Sequence, residues 1–313
     1  MEMRPLGRSQ LVVSRVGLGC NNFGMKLGVD ETRRVIDAAL DAGITFFDTA
    51  DMYGGTKSEE FMGAAFVGRR QRAVIATKFG GLAMMGKSGE RWGTRDYVRK
   101  CAEASLARLR TDVIDLYQMH FPDPKTPVEE TLGALGELVR EGKVRAIGCS
   151  NFTGALLDAA EAAARASGGP RFETAQNEWS LLVRKNETDV IPACEKHGVS
   201  QLPYFPLASG MLTGKYRRDA EPPAGSRLAS GGSYFAAIRT DANFEKVEKL
   251  RAFAAARGRS LLELAVSWLA AQPSVGSVIS GATSPEQVRA NAAAASWKLT
   301  PAELAEIDRL SPR

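Results

Sequence analysis

Histidine is nearly missing from this chain: His120 and His197 are the two among 313 residues. A metal site built on imidazoles is therefore disfavoured, and no metal is expected. Cysteine is also sparse. Cys20, Cys101, Cys149 and Cys194 form no C-x-x-C pair and no zinc spacing. Scattered free thiols suit a reducing compartment, so a cytoplasmic location is expected. No apolar stretch is long enough to span a bilayer, and "MEMRPLGRSQLVVSRVGLG" lacks the apolar region of a signal peptide. There is no basic tail and no aromatic-basic repeat. The net charge of +5 is spread along the chain, often beside acids, as in "EGKVR" and "EKVEKLR". Nucleic acid and membrane are thus not expected partners, whereas a small phosphorylated ligand fits the same balance. The pattern G-x-G-x-x-G is absent too. "GLGCNNFG" (17–24) has the wrong glycine spacing, which argues against a doubly wound sheet.

What is present is ordinary for a globular protein: 44% hydrophobic and 25% charged residues. Short apolar runs alternate with longer helical patterns. The strand-like runs are "VGLGC" (16–20), "ITFFD" (44–48), "AVIATK" (73–78), "DVIDLYQMH" (112–120), "VRAIGCS" (144–150), "FETAQNE" (172–178), "VSQLPYFP" (199–206) and "VGSVISG" (275–281). Several are apolar almost throughout, as expected of parallel strands covered on both faces. Helical spacing predicts helices over 30–43, 94–110, 126–142, 284–295 and 300–311. The third of these has Thr126 as expected N-cap and Pro127 at the first helical position. Eight βα units in sequence predict an α/β fold, a closed (β/α)8 TIM barrel forming a single domain over 1–313. "RPLGRSQLVVSRV" reads as an N-terminal β-hairpin that plugs the barrel bottom, and 300–311 as a C-terminal helix beyond the eighth unit. Residues 210–235 form a long Gly/Ser/Pro-rich loop after strand 7, of the kind that closes over a ligand.

Barrel chemistry collects where the strands end. The second strand ends in Asp48, with Tyr53 in the loop behind it; the third ends in Lys78 and the fourth in His120. Singly, these read as a strand cap, a loop aromatic, a solvated lysine and a core histidine. Together they read differently. Asp48 and Lys78 are expected to pair, because an unpaired buried charge is costly. A phenol beside that ammonium is expected to have a lowered pKa, which makes it a general acid near neutral pH. Neutral His120 would donate a second hydrogen bond to the same substrate oxygen.

These residues resemble the aldo-keto reductase family. "VGLGCNNFG", "ITFFDTADMYGGTKSEEFMGAAF", "VIATKFG", "IDLYQMHFPDP", "AIGCSNF", "PLASGMLTGKY" and "SPEQVRAN" occur in the family's order over essentially the whole chain. The resemblance implies a catalytic tetrad of Asp48, Tyr53, Lys78 and His120, with Tyr53 as proton donor. It implies NADP(H), with NAD(H) possible, extended across the barrel mouth. Ser150, Asn151 and Gln176 would hold the nicotinamide carboxamide, and Tyr204 would stack on its ring. Pro206, Leu207, Ser209 and Gly210 would follow the pyrophosphate, with Lys215, Ser226 and Arg227 contributed by the long loop. Gly281, Thr283, Gln287 and Asn291 match the adenosine site.

The chain departs from the family pattern at three places. Phe205 stands where a Ser is common, Gly281-Ala282 replaces a Lys-Ser pair, and Ala290 replaces an acid. A preference for NADP would then rest on Lys215 and Arg227. Phe23, Met25, Phe79, Trp92 and Phe121 are expected either to wall an apolar substrate pocket or to pack their loops on the barrel. Cys20 and Cys149 are read as packing residues. The expected activity is reversible, NADPH-dependent reduction of a small carbonyl compound. The alternatives are a nicotinamide-binding regulatory protein like a channel subunit, and an NAD-dependent aldose or polyol dehydrogenase. Nothing in the sequence marks an interface between copies.

Overall fold

A computed structural model describes residues 1–81, 90–226, 228–229 and 237–313. It opens with an antiparallel hairpin, β1 (Met3–Pro5) and β2 (Val12–Ser14). The parallel strands then follow in chain order: β3 (Val16–Gly19), β4 (Phe46–Asp48), β5 (Val74–Phe79), β6 (Ile114–Met119), β7 (Val144–Ser150), β8 (Phe172–Gln176), β9 (Ser200–Gln201) and β10 (Val278–Gly281). Among the described residues they form one eight-stranded sheet in which β10 lies beside β3. The sheet curls round on itself. Gln201 N–H donates to Ser274 O (2.7 Å), Gly276 N–H to Gln201 O (2.9 Å) and Ile279 N–H to Pro203 O (3.1 Å), which joins β9 to the approach to β10.

Side chains alternate between the barrel interior and the helix layer, with period two along each strand. Phe46, Ala76, Leu116, Ala146, Leu202 and Ile279 point inward and make one apolar cluster with Leu6, Leu11 and Val13 of the hairpin. The hairpin therefore does plug the barrel bottom. Two residues further along the same strands, the inward positions become Asp48, Lys78, Gln118 and Gly148, all of them on strands whose alternate residues face the helices. Apolar side chains fill the lower barrel and polar ones the upper, so the switch in chemistry happens within each strand.

The outward residues, including Phe47, Ile75, Phe79, Tyr117, Ile147 and Cys149, pack against the helices in the larger core cluster. Helices at Val29–Asp41, Arg95–Leu109, Val128–Arg140, Pro285–Ala293 and Pro301–Leu310 match the sequence reading within a turn. One cap differs. Pro127 is the N-cap of Val128–Arg140, and Thr126 instead donates its hydroxyl to Asp123 (2.6 Å), one step outside the helix. Lys57–Ala65, Gly154–Ser167, Val190–His197, Asp241–Ala255 and Leu261–Ala271 are helical as well. The last of these carries a legible signal: Ser260 and Glu263 form a reciprocal capping box. Strand β9 is shorter than the run 199–206 suggests, because Pro203 and Pro206 cannot donate to a ladder. No helix among the described residues is long and apolar enough to cross a membrane.

Candidate active site

The upper barrel interior opens into a cleft of about 590 Å³. At its floor, Lys78 Nζ lies 2.7 Å from Asp48 Oδ2 and 2.7 Å from Thr49 O, with Tyr53 Oη its third oxygen at 3.4 Å. The ammonium is fully buried, 0% exposed, and its three protons have three oxygens to meet. Asp48 Oδ1 accepts from Gln176 Nε2 (2.9 Å) and Gln118 Nε2 (3.3 Å). A buried ion pair holds only when its remaining lone pairs are satisfied, and here they are.

The Tyr53 loop is fixed by its own polar residues. Asp51 N–H donates to Lys78 O (3.1 Å), and Ser58 Oγ donates to Cys20 O (2.9 Å). Gly54 has φ 60°, and a Cβ there would sit 2.6 Å from Phe23 O, so the return of the chain toward the mouth requires glycine. The Tyr53 and His120 rings meet edge-on at 5.9 Å, and Phe121 stacks on His120 at 4.6 Å.

The electrostatics correct one expectation. Burial is the largest influence on Tyr53 and raises its pKa; Lys78 pulls it down without overcoming burial. The phenol is therefore a firmly protonated group in this state of the site, rather than one poised at neutral pH. Burial opposes the charge on Lys78, but Asp48 and Tyr53 together outweigh it and the net shift is upward. Burial, reinforced by Lys78, pushes His120 well below its ordinary value, so the imidazole is neutral. Its Nδ1 is buried with no partner among the described residues. The ring itself borders the cleft.

The proposed nucleotide residues gather around the same opening. Ser150, Asn151, Gln176, Tyr204, Pro206, Leu207, Ser209, Gly210, Lys215, Ser226, Gly281, Thr283, Gln287 and Asn291 all line the cleft. Arg227 lies outside the described residues. Asn151 is the hub of one side: it donates to His120 O (3.0 Å) and accepts from Tyr204 Oη (2.8 Å). Its backbone has φ 61°, and Phe205 (51°), Ala208 (45°), Ser209 (58°) and Gly210 (97°) are left-handed as well. Such conformations cost about 1–3 kcal/mol each in non-glycine residues and collect at binding sites. Ser209 and Ser280 line the cleft with buried Oγ atoms that have no partner among the described residues.

The substrate residues divide. Phe121 lines the cleft. Phe79 does not, because it follows inward Lys78 and so faces the helices, packed on Tyr117 at 4.9 Å. Phe23 is likewise buried in the outer core, and Met25 is 68% exposed to solvent. Trp92 donates Nε1–H to Phe121 O (2.9 Å) and packs over Gly80, so it supports the wall without lining it. Cys149 is a packing residue, as expected; Cys20 borders the cleft, with burial holding its thiol protonated. Asn22, Lys26, Thr213, Leu262 and Ser280 also line the cleft. Lys26 Nζ reaches Gly225 O (3.4 Å), bridging the first barrel loop to the long one. Asn22 and Thr213 fall within motifs already quoted, whereas no motif covers Lys26 or Leu262, whose place at the cleft depends on segments from opposite sides of the barrel.

The sequence model of the aldo/keto reductase family matches residues 15–312. The chain belongs to the aldo/keto reductase family. It is 35% identical to aldo-keto reductase YhdN of Bacillus subtilis (strain 168), over 99% of this chain and 93% of that one. It is also 35% identical to a probable voltage-gated potassium channel subunit beta of Arabidopsis thaliana, over 99% and 96% of the two chains. The solved glycerol dehydrogenase AKR11B4 from Gluconobacter oxydans superposes with a TM-score of 0.84 at 32% identity, covering 98% of this chain and 94% of that one.

A feature of this family member outside the tetrad is Asp51. It is buried beneath the Tyr53 loop, and burial beside the Glu59 carboxylate lifts its carboxyl to about 7 despite Arg108. A raised carboxyl keeps its proton in the folded chain over pH values at which the unfolded chain has released it. Stability is therefore lost as pH rises from about 4 to 7. Asp51→Asn is expected to melt above the wild type at pH 8, with the gap much narrower at pH 5. Thermal melts at both values check this, and a gap independent of pH contradicts it.

Proposed function

We propose that the protein is an oxidoreductase that reduces an aldehyde or ketone to an alcohol with NADPH, reversibly. The observation that carries this is the buried Lys78–Asp48 pair beneath Tyr53 Oη, with neutral His120 alongside, at the floor of a cleft large enough for nucleotide and substrate. The orphaned hydroxyls of Ser209 and Ser280 and the left-handed backbone at 208–210 fit a polyphosphate-bearing ligand that offers acceptors along that wall. Nicotinamide, when bound, supplies the hydride for the carbonyl carbon. Tyr53 then gives its proton to the carbonyl oxygen, on which negative charge develops. That charge makes the oxygen a strong enough base to take the proton; without it, burial makes phenolate costly and the phenol stays protonated. Lys78 stabilises the phenolate left behind, and Asp48 keeps Lys78 in place. His120 Nε2–H orients the carbonyl and shares its developing charge.

Ser150, Asn151 and Gln176 hold the carboxamide in this reading, and Tyr204, anchored through Asn151, presents its ring to the nicotinamide. Lys215 and Arg227 select the 2′-phosphate. The four thiols suit a protein of the reducing cytoplasm. Lys215→Met is expected to weaken NADPH about 10-fold while changing NADH little, because a single charge-assisted phosphate contact is at stake. Fluorescence titration with both nucleotides measures this, and tighter binding of NADH by the wild type would move the reading to an NAD-dependent aldose or polyol dehydrogenase. The likeness to potassium channel subunits supports a second reading, a nicotinamide-binding regulatory protein. NADPH oxidation with nitrobenzaldehyde separates the two. Turnover supports the enzyme, and tight NADPH retention with no turnover supports the regulatory reading.

A further inference from the structure

Gln118 is buried on β6, inside the barrel, and does not line the cleft. It therefore touches neither substrate nor nucleotide. Its Nε2 donates to Asp48 Oδ1 at 3.3 Å, and its Oε1 faces the Thr174 hydroxyl at 3.5 Å, which orients the amide. In the ladder it lies between Lys78 on β5 and Gly148 on β7. Gly148 makes room for it: a Cβ there would come 3.2 Å from Gln118 Cγ and would overlap Thr174.

We propose that Gln118 is a positioning residue that fixes the Asp48 carboxylate, and through it Lys78 beneath Tyr53. Asp48 has two oxygens and three side-chain donors. Lys78 takes Oδ2; Gln176 and Gln118 share Oδ1. Gln176 also borders the cleft, so its amide is open to competition from a bound carboxamide. Gln118 is fully buried outside the cleft, so a bound carboxamide does not compete for its hold on Oδ1. A neutral donor suits this place. A cation there would cancel the charge that holds Lys78, and an apolar side chain would leave a carboxylate lone pair bare. The charged and titratable groups around the carboxylate are Lys78, Tyr53 and Cys20, with His120 facing Tyr53 across the mouth.

The proposal rests on the reading of Tyr53 as the acid, and its test keeps the two apart. Gln118→Met keeps the length and removes the donor. Gln118→Glu keeps the shape and donates only while protonated. With NADPH saturating, Gln118→Met is expected to lower kcat about 10-fold, the worth of one hydrogen bond to a charged group, with the Kd for NADPH unchanged. Gln118→Glu is expected to stay within about three-fold of the wild type at pH 5.5, where its carboxyl holds the proton, and so to exceed Gln118→Met there. Side-chain volume alone would move neither the pH profile nor the ratio of the two variants. The proposal is overturned if Gln118→Met turns over like the wild type, or if Gln118→Glu does no better than Gln118→Met at pH 5.5. A wild type without carbonyl reductase activity overturns the underlying reading, and this proposal with it.

Discussion

Tyr53→Phe is expected to reduce carbonyl turnover by about 10³-fold while leaving the Kd for NADPH where it is in the wild type. The substitution removes one oxygen. The ring keeps its edge-on contact with His120, and Lys78 keeps Asp48 and Thr49 O, each at 2.7 Å. What disappears is the proposed proton donor. His120 cannot replace it. A neutral imidazole in a dry site is a weak acid, and burial together with Lys78 works against an imidazolium. Single-turnover kinetics with pre-bound NADPH read the chemical step alone. A variant that keeps more than about a tenth of the wild-type rate would show that another group donates the proton.

The second large effect falls on stability. Lys78→Met leaves the Asp48 carboxylate buried with two amide donors and no counter-ion. Breaking a buried pair from one side costs about 3–5 kcal/mol, because the remaining charge is uncompensated. Urea denaturation is expected to show that loss at pH 8, with turnover abolished as well. Adding Asp48→Leu to Lys78→Met removes the stranded charge and is expected to recover part of the stability without recovering turnover. If the double variant is no more stable than the single one, the loss does not come from the unpaired carboxylate. The pair of results separates what Lys78 does for the fold from what it does for Tyr53.

The long loop shows where linear reading ends. Its Gly, Ser and Pro content marks it as an insertion, but not which of its residues line the cleft. The left-handed run at Ala208, Ser209 and Gly210 lies at its start, and two of those residues carry side chains that ordinarily avoid that conformation. The packing of Leu207, Met211 and Leu212 in the core holds it there, with Tyr216 Oη donating to Ser209 O (3.3 Å) and Gly210 N–H to Leu207 O (2.8 Å). Lys26 was equally invisible, since its partner Gly225 lies 199 residues away.

The cluster at the barrel mouth was legible because a barrel strand writes its chemistry at its end. Apolar residues must fill the closed interior, so a polar residue terminating such a run marks the mouth. That logic gave Asp48, Lys78 and His120 from the sequence, with the glycines after Tyr53 pointing to its loop. It could not give the phase of each strand. Phe79 could be read as a pocket wall or as a packing residue, and nothing singled out Gln118, because a single residue step exchanges inside for outside. The sequence by itself determined the eightfold order, the hairpin plug and the residues at the strand ends, since these follow from local pattern and burial. The tertiary structure decided the facing of each side chain, the elevated pKa of Tyr53 and the donors around Asp48. Those depend on groups brought together from strands far apart in the chain, and on the loss of water when the barrel closes.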